Sequence, residues 1–209
     1  MKGLDVFKEG ANMITGIIMA SGFSKRMKRD KLTLNIGKEL VIEKVIKAVK
    51  ASKLDEIILV YHKEEIRDIG IRYGLKTIFN SSPERGQSQS MKLGIEASSL
   101  DTEAFMFFVG DQPLLDSKTI DKIIDVFKES NKEIIVPLYN GKRGTPTLFS
   151  SKLRDRLLEI DGDSGGRKVI MDMPDKVEYI SIENYRVGLD MDTWDEYQQL
   201  IEMEMKNNG

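Results

Sequence analysis

The chain has 209 residues, of which 40% are hydrophobic and 32% charged, and its formal net charge at pH 7 is −2. This length and balance fit one globular domain with a substantial core, and the slightly acidic charge argues against a general nucleic-acid binder. The absence of cysteine excludes disulfides, thiolate nucleophiles and cysteine-ligated metals. Because His62 is the single histidine, any catalytic acid, base or metal ligand must come from Asp, Glu, Lys, Ser or Tyr.

The N-terminal segment carries no targeting signal. No apolar run in the chain approaches the roughly 20 residues that a membrane-spanning helix needs, and Lys8 and Glu9 interrupt any signal-peptide core. We therefore expect a cytoplasmic protein without a membrane partner. The first clear structural signal comes at Ile14, so we expect residues 1–12 to be a flexible lead-in and residues 13–209 to form a single domain.

Strand and helix patterns alternate through the first two thirds of the chain. Short apolar runs predict buried strands at residues 14–19, 57–61, 104–109 and 134–138, because a strand covered on both faces is apolar throughout. Helical spacing of apolar residues predicts helices over 41–49 and 120–127, and a shorter helix over 88–99. Strands separated by single helices indicate an α/β fold whose sheet is largely parallel.

The last third of the chain is less regular. Asn140-Gly141 is a strong turn signal. After it we expect a strand at 145–149, a helix at 152–160, a loop at 161–166, a strand at 177–181 and a closing amphipathic helix at 193–206. No internal repeat or low-complexity linker divides the sequence.

A basic loop follows the first strand. The small residues Ala20, Ser21 and Gly22 let backbone N–H groups approach an anion. Positive charge follows within a few positions, from Lys25, Arg26, Lys28, Arg29 and Lys31. The loop matches neither a Walker motif nor a dinucleotide fingerprint, yet its chemistry suits a triphosphate. The alternative is a solvated basic turn after an ordinary strand.

Three acidic residues occupy positions where a parallel sheet binds ligands, beyond the carboxyl ends of its strands. Asp111 follows the apolar run 104–109, and Asp190 and Asp192 come just before the last helix. A carboxylate at the rim of a buried sheet needs a partner, and Mg²⁺ takes one or two protein carboxylates together with phosphate oxygens. The alternative is that each Asp caps a turn or helix, a role that suits Asp192 best because it directly precedes Thr193.

Six motifs, taken in order, resemble those of the MobA-like nucleotidyltransferases, and most closely those of the molybdenum cofactor cytidylyltransferase branch. They are I-M-A-S-G-F-S-K-R-M-x-x-x-K at 18–31, G-Q-S-Q-S at 86–90, G-D-Q-P-L at 110–114, G-T-P-T-L-F at 144–149, G-D-S-G-G-R at 162–167 and D-M-D-T at 190–193. Two residues depart from the family pattern. Lys28 stands where the family usually has glycine, and Ser21 replaces a small Ala or Gly, which leaves the base preference open.

The resemblance implies a three-layer α/β/α, Rossmann-like fold of the nucleotide-diphospho-sugar transferase type. It also implies roles for individual residues. Lys31, Arg26 and Asp111 would be catalytic, and Asp111 and Asp192 would bind Mg²⁺. The nucleotide would be bound by Ala20, Ser21, Gly22, Lys31, Gly86, Ser88 and Ser90, and the acceptor by Gly144, Pro146, Asp163 and Gly166. From the residues alone, Ser88 and Ser90 could equally be the first-turn caps of helix 88–99.

The activity implied by the resemblance is Mg²⁺-dependent nucleotidyl transfer. A phosphate oxygen of an acceptor would attack the α-phosphorus of a nucleoside triphosphate and expel pyrophosphate. CTP is the expected nucleotide, molybdopterin the expected acceptor, and a molybdoenzyme or its chaperone a candidate partner. Two alternatives stay open: a sugar phosphate or polyol phosphate as the acceptor, and a non-catalytic nucleotide-binding protein that delivers a cofactor.

Overall fold

The computed structural model describes residues 13–23, 27 and 29–207. The predicted lead-in at 1–12 lies outside the described residues, and so do Lys25, Arg26 and Lys28 of the basic loop. Within the described part of the chain, no helix is both long and apolar enough to cross a bilayer.

The described residues form one large sheet and a two-stranded ribbon. The strands are β1 Met13–Ala20, β2 Asn35–Ile36, β3 Glu39–Leu40, β4 Glu56–Tyr61, β5 Lys76–Phe79, β6 Thr102–Val109, β7 Ile134–Tyr139, β8 Lys142–Arg143, β9 Thr147–Ser150 and β10 Val177–Ile182. The large sheet has the order β10-β7-β9-β6-β1-β4-β5, with β8 paired to β7, whereas β2 and β3 form the ribbon. Its pairs are parallel except those that involve β9 or β8. The expected α/β fold with a mostly parallel sheet is therefore confirmed.

Helices cover both faces of the sheet. They are α1 Val41–Lys50, α2 Glu64–Arg72, α3 Gln87–Ala97, α4 Ser117–Glu129, α5 Arg154–Leu158, α6 Arg167–Asp172 and α7 Trp194–Asn207. The buried residues of α1, α2, α4 and α7 belong to one core, and those of α3, α5 and α6 belong to another. Strand β1 separates the two, because Ile14 and Ile18 pack into the first core and Ile17 into the second. The architecture is thus three-layered, α/β/α.

Several elements differ from the sequence prediction. The sequence pattern predicts neither α2 nor β5. Strand β5 is an edge strand with exposed ends and lacks the continuous apolar run of a central strand. Strand β9 begins two residues later than predicted and runs antiparallel to both neighbours. The helix predicted at 152–160 is a 3-10 turn at Ser151–Leu153 followed by the short α5. The sequence pattern does not predict α6 or the strands β2, β3 and β8 either, because these elements are too short to show a period.

The glycine at position 94 sets how closely α3 approaches the sheet. A Cβ atom there would lie 2.4 Å from Ile17 Cγ2, and Ile17 is fully buried in β1. We expect Gly94→Val to destabilise the fold by about 1–3 kcal/mol through overpacking, measured by urea unfolding followed by circular dichroism.

Glu96→Val is the matched control, since it places the same β-branched residue on an exposed position of α3. Equal unfolding midpoints for the two variants would show that α3 can move away from β1 at no measurable loss of stability.

Candidate active site

The loops that follow β1 and β6 lie side by side at the carboxyl edge of the sheet. The two strands pair in parallel with Met19 opposite Val109, and the Gly110 N–H donates to the Met19 carbonyl at 3.2 Å. The small-residue loop at 20–22 and Asp111 therefore leave the sheet next to each other, as the sequence predicted.

Asp190 and Asp192, which the sequence predicts beyond the end of a strand, do not directly follow one. They belong to an irregular segment between a 3-10 turn at Tyr185–Gly188 and α7. The segment is anchored to the sheet edge by the fully buried Met191, whose N–H donates to the Asp111 carbonyl at 3.0 Å. Tertiary packing, and not the end of a strand, brings these carboxylates to the site.

The start of α7 is capped without the Asp192 side chain. Glu196 Oε2 accepts from the backbone N–H groups of Asp192 and Thr193, each at 2.8 Å, and the Thr193 hydroxyl accepts from the Glu196 N–H at 3.3 Å. This reciprocal arrangement is a capping box. The side chains of this capping box belong to Thr193 and Glu196, whereas the sequence left open Asp192 as the cap.

Lys31 bridges two carboxylates, Asp111 and Asp192, that lie far apart in the sequence. It stands at the start of a 3-10 turn, Lys31–Thr33, which Asp30 caps by accepting from the Leu32 N–H at 3.1 Å. Its Nζ donates to Asp111 Oδ2 and, at 2.7 Å, to Asp192 Oδ1. Burial by itself would lower the pKa of Lys31, but the charges and hydrogen bonds of the two carboxylates outweigh burial and raise this pKa. Lys31 is therefore a cation at neutral pH.

The donor set around Lys31 also fits a divalent cation. Two carboxylate oxygens already converge on one positive charge, and among the described residues no cluster of three or more His, Cys, Asp or Glu side chains could form a full protein cage. Mg²⁺ suits such a site, since it is usually held by one or two carboxylates and completes its shell with water and phosphate oxygens.

Asp190 faces a different partner. Its Oδ1 accepts from Gln112 Nε2 at 2.9 Å, and the same amide nitrogen donates to the Gly188 carbonyl at 3.2 Å. Asp190 as a residue is exposed to solvent, but protein atoms close to its carboxyl group desolvate it, and this desolvation, reinforced by the charge of Asp111, raises the pKa of Asp190 to about 6. The two aspartates of the D-M-D-T motif thus have different partners, because Asp190 contacts the neutral Gln112 and Asp192 contacts the cationic Lys31.

A cavity of about 520 Å³ opens from Lys31 toward the first turn of α3. Its walls include Ser21, Gly22 and Phe23 of the loop after β1, Pro83, Gly86 and Ser90 around α3, and Asp111, Asp163 and Asp192. Gly86 has a φ of +85°, and a Cβ there would lie 2.3 Å from Asp163 Oδ1. Only glycine lets the 162–163 turn pack against the start of α3 and close this wall.

A second cavity, of about 570 Å³, lies on the other side of the same carboxylates. It is lined by Gln112, Tyr139, Gly144, Gly166 and Asp190, among others, and its outer wall carries Lys142, Arg143 and Arg167. Asp111 and Asp192 line both cavities. Two separate compounds bound in the two cavities would therefore meet at this pair of carboxylates.

Most of the predicted site residues come together in these two cavities, with a few exceptions. Ala20 and Ser88 are buried beside the first cavity but do not line it, and Arg26 lies outside the described residues. Gly144 and Gly166 line the second cavity, whereas Pro146 stands between Thr145 and Thr147, which do. Asp163, which we had expected to face the acceptor, belongs to the first cavity instead, because it accepts from the Gln87 N–H at the start of α3.

One residue at the site escaped the sequence analysis. Asn80 directly follows β5 and is fully buried between Ser21 and Ser90. The signal that could have found it is an Asn at the start of a polar turn, N-S-S-P, after a short β-type run. Because β5 was not predicted, Asn80 was not recognised as a residue at a strand's carboxyl end.

A cation-bridged carboxylate pair between two cavities, on a mostly parallel α/β sheet, suits the transfer of a charged group between two bound compounds. The model of the MobA-like NTP transferase domain matches residues 16–177, and the chain belongs to that family. A protein of Thermococcus gammatolerans named "Probable molybdenum cofactor guanylyltransferase" is 33% identical over 150 residues, which cover 69% of this chain and 73% of that protein. The molybdenum cofactor cytidylyltransferase of Escherichia coli is 29% identical over 187 residues, covering 87% and 92%.

Solved structures agree with this assignment. The crystal structure of Rv0371c from Mycobacterium tuberculosis has a TM-score of 0.79 at 25% identity, covering 92% of this chain and 99% of that one. A structure of the same protein described as a complex with manganese has a TM-score of 0.75 at 24% identity, covering 91% and 98%. The expected nucleotide-diphospho-sugar transferase fold and family are therefore confirmed.

We expect Lys31→Ala to lower kcat/KM for the nucleoside triphosphate by about tenfold or more while leaving the fold intact. The substitution removes a charged donor at the junction of the two cavities, and hydrogen bonds to charged groups contribute about 1.5–3 kcal/mol each. The measurement is steady-state pyrophosphate release with each substrate varied in turn.

Lys44→Ala is the matched control, because the Lys44 side chain has the same 15% exposure and pairs with Glu204, a residue that lines neither cavity. Unchanged kinetics in Lys31→Ala would remove Lys31 from the reaction.

Proposed function

We propose that this protein transfers a nucleoside monophosphate, CMP from CTP, to the phosphate group of molybdopterin or its molybdenum-bound form, and releases pyrophosphate. The observation that carries the proposal is the position of Asp111 and Asp192, which line both cavities and share Lys31. The nucleotide would occupy the cavity beside Ser21, Gly86 and Ser90, and the acceptor would occupy the cavity beside Gly144 and Gly166.

The chain's own residues would act by positioning and by charge. An oxygen of the acceptor phosphate forms a bond to the α-phosphorus, the bond from that phosphorus to the bridging oxygen breaks, and pyrophosphate departs with its electron pair. Lys31, with Arg26 of the basic loop, would hold the triphosphate and balance the negative charge that grows on the leaving group. No covalent nucleophile is needed, because fixing two bound reactants in line supplies much of the acceleration.

Asp111 and Asp192 are the residues that would hold Mg²⁺, and the bound ion would supply positive charge to the phosphate oxygens. Support comes from their convergence on one cation and from the M. tuberculosis neighbour described as a manganese complex. Asp192 is favoured over Asp190 as the second ligand, since Asp192 contacts the same ammonium as Asp111 whereas Asp190 is hydrogen-bonded to Gln112.

The choice of CTP rests on motif spelling. G-Q-S-Q-S and G-D-Q-P-L resemble the cytidylyl branch, and the E. coli relative that covers 87% of this chain is named a cytidylyltransferase. GTP is the second candidate, because the T. gammatolerans relative, with higher identity over a shorter region, is named a guanylyltransferase. The acceptor and the molybdoenzyme or chaperone that would receive the product are likewise inferred from the names of these relatives.

The experiment that tests the proposed function is pyrophosphate release from each of the four nucleoside triphosphates with purified molybdopterin and MgCl₂. The proposal requires release that depends on nucleotide, acceptor and metal together. Release with a sugar phosphate or polyol phosphate in place of molybdopterin would assign a different acceptor. Tight nucleotide binding without release under any condition would indicate a cofactor carrier instead of an enzyme.

Within this assay we predict a preference for CTP over GTP of at least about tenfold in kcat/KM. A pocket that hydrogen-bonds one base leaves buried polar groups unpaired when another base enters, and this penalises the wrong nucleotide. Competition binding with all four triphosphates measures the same preference without catalysis. A clear preference for GTP or ATP would overturn the cytidylyl assignment.

Substitutions at the three aspartates separate their roles. We predict that Asp111→Asn and Asp192→Asn each reduce Mg²⁺-dependent transfer by about a hundredfold or more, because the amide keeps the size of the carboxylate but removes its charge. Asp190→Asn is the control from the same motif and should be milder. All three variants should fold as the wild type does by circular dichroism. If Asp190→Asn is the most severe variant, the metal assignment must move to that residue.

A further inference from the structure

Asn80 joins two elements of the proposed nucleotide site that lie far apart in the sequence. Its Nδ2 donates to Ser21 Oγ at 3.0 Å and to Ser90 Oγ at 3.3 Å, and the two hydroxyls lie 2.6 Å from each other. Ser21 belongs to the loop after β1, and Ser90 to the first turns of α3. All three residues are buried, and both serines line the first cavity.

The orientation of the Asn80 amide follows from its surroundings. The Ser82 backbone N–H lies 3.0 Å from the other end of the amide and can only donate, so the atom facing it is Oδ1. The NH₂ group therefore faces the serines and donates to both hydroxyls. Asn80 is held in place as well by its own N–H, which donates to the Tyr61 carbonyl at 2.7 Å.

The hydroxyl protons and lone pairs of the two serines can be counted to find which of them lack a partner. Each hydroxyl has one proton and two lone pairs, and each uses one lone pair to accept a hydrogen bond from Asn80. One serine then donates to the other and uses up its proton. The serine that receives this bond has both lone pairs occupied and retains its own proton, for which the described residues supply no acceptor.

We propose that Asn80 is a positioning residue for nucleobase recognition, which forces the Ser21–Ser90 pair to present one hydroxyl donor to an acceptor atom of the base, a ring carbonyl or an unprotonated ring nitrogen. This inference rests on the proposed function, since it assigns the base to the first cavity. Asn80 would act on the base only through the serines, because its own hydrogen bonds go to neither Lys31 nor the aspartates.

Asn80→Asp reverses the polarity of the network with almost no change in shape. A carboxylate at position 80 accepts from both serines, so both hydroxyl protons turn inward and the pair presents only lone pairs to the cavity. We expect the dissociation constant of the preferred nucleoside triphosphate to rise at least tenfold. The dissociation constant of inorganic tripolyphosphate, which has no base, should stay within about twofold of the wild-type value.

Serine substitutions provide a second test that does not place a carboxylate in a buried position. In Ser21→Ala or in Ser90→Ala, the remaining hydroxyl accepts from Asn80 and keeps its proton. Each single variant should therefore lose only about two- to threefold in nucleotide affinity, whereas the double variant should lose at least about tenfold, more than the product of the single effects. Additive losses would contradict the shared-proton account even if Asn80→Asp fails to fold.

Asn184→Asp is the matched control, because Asn184 is exposed and its side chain accepts from the N–H two residues further on, as that of Asn80 does. All affinities are measured by titration calorimetry, so they do not depend on turnover.

If Asn80→Asp weakens the binding of tripolyphosphate and of nucleotide equally, Asn80 only maintains the loop and the proposal fails. If the wild type binds nucleotides with a base preference but releases no pyrophosphate, the proposed function fails and the inference about Asn80 stands.

Discussion

The convergence of Asp111 and Asp192 on Lys31 is the interaction on which the site depends. Two carboxylates at one position repel each other and lose hydration, and both effects are unfavourable unless a cation lies between them. Lys31 supplies that cation, and its raised pKa shows that the attraction exceeds the effect of its own burial. The ion pair also joins the 3-10 turn after the basic loop, the end of β6 and the segment before α7.

This ion pair lies at the boundary between the two cavities, where it can act on compounds bound in either of them. A surface ion pair contributes little to stability, but a partly buried cation between two binding spaces can balance the charge of a phosphate that lies between them. The proposed acceptor site is acidic at one end and basic at the other. Its acidic residues lie near the boundary, and its basic residues, Lys142, Arg143 and Arg167, lie on the outer wall of the second cavity.

The base end of the proposed nucleotide site is built on a different principle. There Ser21, Asn80 and Ser90 form a set of hydrogen bonds, buried where a missing partner would be unfavourable. Electrostatics at Lys31 would bind any triphosphate, so discrimination between bases has to come from directional donors and acceptors such as these.

The sequence by itself determined the α/β class, the central strands, the loop after β1 and the position of Asp111, because continuous apolar runs and the residues directly after them are local features. It could not determine that Asp163 faces the first cavity, that Asp190 and Asp192 have different partners, or that Asn80 is part of the site. Those facts depend on Met191 docking against Asp111 and on an edge strand without a periodic pattern. The contacts of Asp163, Asp190 and Asp192 join residues 76, 78 and 161 positions apart in the sequence, and they are decided by packing, which no local pattern encodes.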